Sequence, residues 1–388
     1  MMITTRVAGL YYITHVDNLA SILEHGVLSH AEIARAGLPY RPIYDEQIVD
    51  RRKGRQTPDR KSLWEYANFY FTARNPMLYR VIREKGTSQL VILRFKTTLL
   101  NEAGVWITDG NAAHSLSRIL PATDEHLKQI QPFLNLEFWS EEDGSKRKIM
   151  AECLVPNRAD AKKYLDTVYV SNGLRERVED ILKRAKSEAK VVLEPRHFFE
   201  PNYSKSLEGT KIKLIQGDMF LSQAQTLTIS VNTVGVMGKG LASRAKYQFP
   251  DIYVVYEDLC RKKRLVVGKP ELVKRETSLA DKLSDQPIGT DQATWFLLFP
   301  TKQHWREHSQ LSYIVDGLAW LKEHLHAWGI TSMALPALGC GLGGLTWQQV
   351  GPLMCQFALS VNIPVMIYLP SEDKQPEEFL TKEFLLKQ

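Results

Sequence analysis

The 388-residue chain has no apolar run of the roughly 18 residues a membrane-crossing helix needs, so no membrane partner is expected. Its opening, MMITTRVAGLYY, lacks a basic start followed by a long apolar stretch, so a signal peptide is not expected either. Cysteine is scarce. Cys153, Cys260, Cys340 and Cys355 are scattered with no C-x-x-C pair, which favours reduced thiols in a cytoplasmic protein over disulfides or a zinc site, and no metal is expected. No low-complexity tract or repeat is visible. A G-K-[ST] phosphate loop is missing, and no glycine run has Rossmann spacing, which removes the two commonest nucleotide-binding readings.

What is present is glycine in two places. Ser230 to Ala242 reads SVNTVGVMGKGLA, following a β-branched run, with Gly235, Gly238 and Gly240 just before an apolar helical pattern. A strand that opens through glycines onto a helix start turns backbone N–H groups toward an anion, because no Cβ blocks the approach. Leu335 to Leu345, LPALGCGLGGL, repeats the arrangement. Two such loops, each closing a strand of an α/β layer, suit a nucleotide diphosphate. Glycine turns serve packing as well, so either run alone is weak.

The length favours two or three domains, and Pro, Asn, Ser and Gly at 199–210 mark a boundary. Strands alternating with helices after it imply a mainly parallel sheet; the earlier half, with fewer crossover helices, reads as α+β. Residues 100–146 show no period and read as a long irregular loop. A further long loop over 36–63 carries a helical turn near Asp45 to Arg52. Net charge is +6, and Arg51, Arg52, Lys53, Arg55, Arg60 and Lys61 concentrate it near Trp64, Tyr66, Phe69, Tyr70 and Phe71. Basic and stackable side chains together suit single-stranded nucleic acid or a nucleotide. A charge run by itself is usually a solvated loop.

Motifs sharpen both halves. QGDMF, VNTVGVMGKGLA, LFPTKQHWR and PALGCGLGGLTW together resemble a macrodomain of the DarG type, from about Gly209 onward. The resemblance implies ADP-ribose binding by Asp218 (adenine), Asn232 (distal ribose), Gly238 and Gly240 in one loop, and Gly341, Leu342 and Gly343 in the phosphate loop. Lys302 would be base or nucleophile at the anomeric carbon, by analogy with related glycohydrolases. Positions 342–344 are Leu-Gly-Gly, without the Asn or Asp common in the class, which shifts weight onto Lys302.

In the first half, TRVAGLYYITHVDNLASILEHGVLSH, IVDRRKGRQ, YANFYFTARNPMLYR and KIMAECLVP resemble the DarT family of DNA ADP-ribosyltransferases over about residues 6–200. The resemblance implies NAD+ as co-substrate, no metal, and single-stranded DNA as acceptor, thymine first and guanine second. Glu152 would be the catalytic carboxylate. His15 would hold the nicotinamide-side ribose or carboxamide. Arg51 or Arg52, with Arg51 favoured, would meet the NAD+ phosphates or substrate, and Phe71 and Met77 would pack beside the nicotinamide. Each residue alone has an ordinary structural role; the expectation rests on their combination. The chemistry suits the types: breaking the nicotinamide–ribose bond builds positive charge that a carboxylate stabilises.

The resulting expectation is an α+β ADP-ribosyltransferase-like domain (1–200), a linker (201–208) and an α/β/α macrodomain with a mainly parallel sheet (209–388). Together these would form a fused toxin–antitoxin with an intramolecular domain contact. Alternatives are an ADP-ribose-binding adaptor with silent domains, or a transferase fold acting on RNA ends.

Overall fold

The structure, a computed structural model, describes residues 3, 7–43, 52–289, 292–370 and 375–386. It forms two compact units: Met1–Phe199 with Ala280–Gly289, and Glu200–Leu279 with Thr290–Gln388. The short segment 280–289 therefore packs with residues far from it in sequence.

The first unit's strands are β1 (Leu10–His15), β2 (Val27–Leu28), β3 (Tyr66–Tyr70), β4 (Leu90–Phe95), β5 (Trp106–Thr108), β6 (Ile119–Pro121), β7 (Glu152–Pro156), β8 (Arg158–Ala159), β9 (Leu165–Val170) and β10 (Lys190–Leu193). Eight of them make one sheet in the order β10-β9-β4-β1-β3-β7-β5-β6, and β2 pairs with β8 apart from it. Pairing is antiparallel except between β9 and β10. One face carries Leu10, Phe69, Leu93, Phe95 and Val168 against Leu19, Ile22 and Leu23 of the helix Leu19–His25. Phe69 and Phe95 meet edge-on at 4.9 Å, the arrangement that brings ring edge to ring face. Pro76 opens the helix Pro76–Lys85, Asn75 Oδ1 accepts from Leu78 N at 2.9 Å as its cap, and Gly86 at φ 75 ends it.

Two sequence expectations change. Residues 100–146 are not irregular: β5 and β6 form a hairpin, and Thr123 caps a helix over Asp124–Leu134. Strands of three residues are too short to show a period, and Pro132 inside the helix masks the helical signal. The stretch expected to be a linker carries an edge strand of the second sheet, Tyr203–Ser206. The helical turn expected near Asp45 falls mostly on residues outside those described.

The second unit contains β11 (Tyr203–Ser206), β12 (Ile212–Gln216), β13 (Thr226–Asn232), β14 (Glu271–Val273), β15 (Trp295–Lys302), β16 (Met333–Pro336) and β17 (Val365–Tyr368), in the order β11-β12-β17-β16-β13-β15-β14. The five inner strands are parallel and both edges antiparallel, which matches the expectation of a mainly parallel sheet. Helices Leu311–Trp328 and Trp347–Val361 pack on one face through Ile314, Leu321, Val350 and Met354. That packing needs Gly317, where a Cβ would lie 2.4 Å from the Phe299 ring. On the other side Phe249, between helices Gly240–Gln248 and Pro250–Arg261, packs on Phe220 and Phe296 at 5.1 and 4.6 Å. Among the described residues no helix is long and apolar enough to cross a membrane.

Candidate active sites

In the first unit β3 and β7 run antiparallel with Tyr70 opposite Glu152. That register puts Glu152 at the start of a central strand, where it is fully buried. Isolated, such a carboxylate would be very costly. Here Arg52 Nη1 and Nη2 donate to Oε1 (3.3 Å) and Oε2 (3.0 Å), and Ala112 N donates to Oε1 (2.8 Å). The strand end is held too: Glu152 N donates to Thr108 Oγ1 (2.9 Å), whose hydroxyl donates to Gly110 O (2.6 Å). Burial disfavours the charged form of Arg52, but the Glu152 carboxylate outweighs it and holds the guanidinium above its ordinary pKa.

Arg52 lines a cavity with Tyr12, Thr14, His30, Tyr70, Met77, Arg80, Asn111 and Met150. Burial raises Tyr70 well above the ordinary tyrosine range, helped by Glu152, and pushes Tyr12 up to about 12. His30 stacks on Trp64 at 4.5 Å, and its pKa falls to about 4, first through burial and then through Arg52 and Lys53. At neutral pH its ring carries no charge.

The expected residues divide. Glu152 and Arg52 are joined, and Met77 lines the cavity. Phe71 lies in the main core and is absent from the cavity wall. His15 Nε2 lies 2.7 Å from Gln89 Oε1 while Nδ1 accepts from Asp17 N at 3.1 Å; Thr14, rather than His15, is a wall residue. Arg51 lies outside the described residues. The basic cluster is largely occupied with structure: Arg55 donates to the carbonyls of His114 and Ser117, Lys53 sits 4.5 Å over the Trp64 ring, and Lys61 pairs with Asp59 at 3.8 Å. Phe69 and Phe71 belong to the core, so neither offers a stacking surface. Tyr12, Arg80 and the Ala112 amide went unnoticed in the sequence, and Tyr70 stood out only as one of the aromatics beside the basic cluster. A backbone N–H leaves no compositional trace, and Arg80 lies on an otherwise ordinary helix.

In the second unit the candidates collect at the C-terminal ends of parallel strands, where ligands of open α/β sheets bind. Asn232 ends β13 and is paired in register with Lys302 at the end of β15, across a bulge. Asn232 is 6% exposed: Oδ1 accepts from Val234 N (3.0 Å), and Nδ2 donates to Val236 O (2.6 Å), so its amide shapes the first glycine loop. The Tyr256 hydroxyl lies 2.9 Å from the same Oδ1. Lys302 Nζ donates to Leu342 O at 2.9 Å, joining the strand end to the second glycine loop, and partial burial lowers its pKa. The two loops meet: a Cβ on Gly240, at φ 60, would be 3.6 Å from Leu342 Cδ1. Gly341 sits at φ 61 and Gly343 leaves room for Ser309, whose N donates to Gly343 O at 2.8 Å. A Cβ on Gly238 would meet only Val236 Cγ1, at an ordinary 3.8 Å. Asp218, after β12, accepts from Phe220 N (3.0 Å) and from Arg244 Nη2 (2.6 Å), an arginine the sequence reading did not include.

Comparison with known proteins agrees with this division. A family model described as ssDNA thymidine ADP-ribosyltransferase, DarT, matches residues 11–199, and a Macro domain model matches 230–354. The DNA ADP-ribosyl transferase–DNA ADP-ribosyl glycohydrolase fusion protein of Thermosipho africanus is 50% identical over 392 residues, covering 98% of this chain and 99% of its own. The solved structure of Thermosipho africanus DarTG in complex with ADP-ribose superposes with a TM-score of 0.90 at 49% identity, covering 98% of this chain and 100% of that one. The DNA ADP-ribosyl glycohydrolase of Mycobacterium bovis is 35% identical over 156 residues, 40% of this chain and 41% of that protein. The chain belongs to the family of DNA ADP-ribosyl transferase–DNA ADP-ribosyl glycohydrolase fusion proteins.

Proposed function

We propose that the first unit transfers ADP-ribose from NAD+ to a base of single-stranded DNA, thymine first, and that the second unit removes it as a glycohydrolase. The chain then writes and erases one mark, a toxin fused to its antitoxin. The observation that carries the reading is the buried Glu152 gripped by both Nη atoms of Arg52 beside the cavity wall. It falls within the residues matched by the transferase family model. The Thermosipho africanus relative named for both activities, and solved with ADP-ribose, supports the pairing of functions.

In the transfer, the bond from nicotinamide nitrogen to ribose breaks with its electron pair leaving on nicotinamide. A base nitrogen bonds the same carbon and loses its proton. Glu152 supplies negative charge against the developing cation and is the proposed acceptor of that proton. Its grip by Arg52 and Ala112 N fixes the carboxylate before substrate arrives, so little reorganisation is left for the reaction. In the removal, water replaces the base at the anomeric carbon and the base regains its proton. Lys302 is the proposed base or nucleophile. With its amine held at the second glycine loop and its pKa lowered, a larger share is neutral than for an exposed lysine. Asp218, Asn232, Gly238, Gly240, Gly341, Leu342 and Gly343 are the proposed ADP-ribose contacts.

The test incubates the full chain and its Lys302→Ala and Glu152→Gln variants with NAD+ and a thymine-containing single-stranded oligonucleotide, followed by mass spectrometry. Lys302→Ala should accumulate one ADP-ribose per oligonucleotide and Glu152→Gln none. No gain with Lys302→Ala supports the adaptor reading. Modification of an RNA end that persists in Glu152→Gln supports the RNA reading, and thymine-free oligonucleotides decide the base.

A further inference from the structure

Residues 280–289 lie, in sequence, between two strands of the second sheet, yet they belong to the first unit. They are well anchored there. Leu283 and Ser284 are buried, Trp139 Nε1 donates to Leu283 O at 2.8 Å, and Lys282 pairs with Glu142 at 3.3 Å. The segment delivers one side chain to the transferase cavity: Asp285, whose side chain is 6% exposed and which lines the cavity with Arg52, Tyr70, Met77 and Arg80.

Arg80 is the reason this matters. It is 3% exposed, so its guanidinium needs partners for all its N–H groups. Its Nε donates to Asp285 Oδ1 at 2.7 Å, and its Nη1 donates to Glu84 Oε2 at 3.1 Å. Its Nη2 is buried and has no hydrogen-bond partner among the described residues. Two carboxylates thus hold the fork rigidly by one edge and one arm, leaving the other arm unbonded in a cavity-lining residue. An arginine fixed in this way presents a pre-oriented donor for an anionic oxygen, and phosphate is the anion both proposed substrates carry.

We propose that Asp285 is a positioning residue of the transferase. It orients Arg80 so that Nη2 takes a phosphate oxygen, either of the dinucleotide's diphosphate or of the DNA backbone. This rests on the transferase reading above. A segment encoded within the glycohydrolase half is then a working part of the transferase half. An acidic residue here that merely blocked the cavity would act in the opposite direction, which makes the proposal easy to overturn.

The experiment uses the full chain and measures initial nicotinamide release with NAD+ and a thymine oligonucleotide varied in turn, because later removal of the mark does not affect that signal. Asp285→Ala should raise the KM of one substrate roughly tenfold, the scale of a charge-assisted hydrogen bond, with kcat changed less than about twofold. The substrate whose KM moves identifies the source of the phosphate. Arg80→Lys should raise the same KM, and Asp285→Glu should recover most of it. Unchanged KM values in Asp285→Ala overturn the proposal, as does faster turnover, which would make the segment a plug. A fall in kcat with lowered thermal stability that Asp285→Glu fails to rescue also overturns it, assigning Asp285 a purely structural role. Glu152→Gln is run alongside: if it turns over normally, the transferase reading itself has failed, whereas an inert Glu152→Gln with normal Asp285→Ala overturns only this inference.

Discussion

In the proposed function both candidate sites handle ADP-ribose, and they are built from opposite materials. In the first unit the proposed catalytic group is a fully buried carboxylate matched to an arginine 100 residues away. Its geometry depends on strand register across a mostly antiparallel sheet. In the second unit the proposed base or nucleophile, Lys302, is bonded to a backbone carbonyl, and the proposed walls are glycine loops at the ends of parallel strands. A site made from a buried charge pair has its stability and its chemistry bound together, since removing one partner strands the other in the interior. Where backbone loops make the walls, a side chain can change while the fold is left nearly untouched.

That contrast can be broken in several ways, beginning with the largest effect. Glu152→Gln should lower nicotinamide release by about 10³-fold or more, measured as initial rate. Glu152→Ala, which strands Arg52, should in addition destabilise the chain by about 3–5 kcal/mol in denaturant unfolding. An active or fully stable Glu152→Ala protein would end the charge-pair account, and in cells the variant should be harmless.

Lys302→Ala should slow release of ADP-ribose from a modified oligonucleotide by about 10²-fold, with unfolding shifted by less than about 1 kcal/mol. A matching loss of stability would erase the distinction between the sites. Because burial lowers the Lys302 pKa, the removal rate should rise with pH through a midpoint below the ordinary lysine range, as the neutral amine accumulates. The sign for stability is the same. Between the folded and unfolded pKa values the unfolded chain holds the extra proton, so this group's contribution improves as pH rises. A flat pH–rate profile would remove Lys302 from the chemistry.

His30 extends the comparison to acid. Its pKa is about 4 in the folded chain against 6.5 ordinarily, so between those values only the unfolded chain takes up the proton. Stability should therefore fall as pH drops from 6.5 toward 4, by up to about 3 kcal/mol. His30→Gln should remove that part of the acid sensitivity in unfolding curves measured at pH 7 and 4.5. The smallest effect is expected at Gly238, where an added Cβ meets only Val236 Cγ1 at 3.8 Å. Gly238→Ala should change stability by less than about 0.5 kcal/mol. If the glycine serves ligand approach, ADP-ribose affinity, measured by calorimetry, should still drop by roughly tenfold. Unaltered affinity would make the residue an ordinary loop glycine.

The two halves also differed in how much their sequences disclosed. Glycine loops are local: Gly235 to Gly240 and Gly339 to Gly344 sit beside the strands they terminate, so spacing alone brought the anion-binding reading within reach. Asn232 and Lys302 each close an apolar run, but only motif resemblance made them candidates. Glu152 and Arg52 became candidates only through motif resemblance, because nothing in a pattern of residues joins positions 100 apart. Phe71 and His15 show the converse. Both stand next to residues of the cavity wall, Tyr70 and Thr14, yet Phe71 packs in the core and His15 meets Gln89 and the Asp17 amide, so nearness along the chain did not place them.

The sequence by itself determined the strand–helix alternation of the second unit and the two glycine loops, because each is a pattern among near neighbours along the chain. Only tertiary structure decided that Arg52 rather than surface water satisfies Glu152, that Ala112 lends its amide, and that residues 280–289 supply Asp285 to Arg80. Those are meetings of buried charges from distant segments. A buried charge takes its partner from whatever the folded chain places within about 3 Å, which composition and periodicity do not encode.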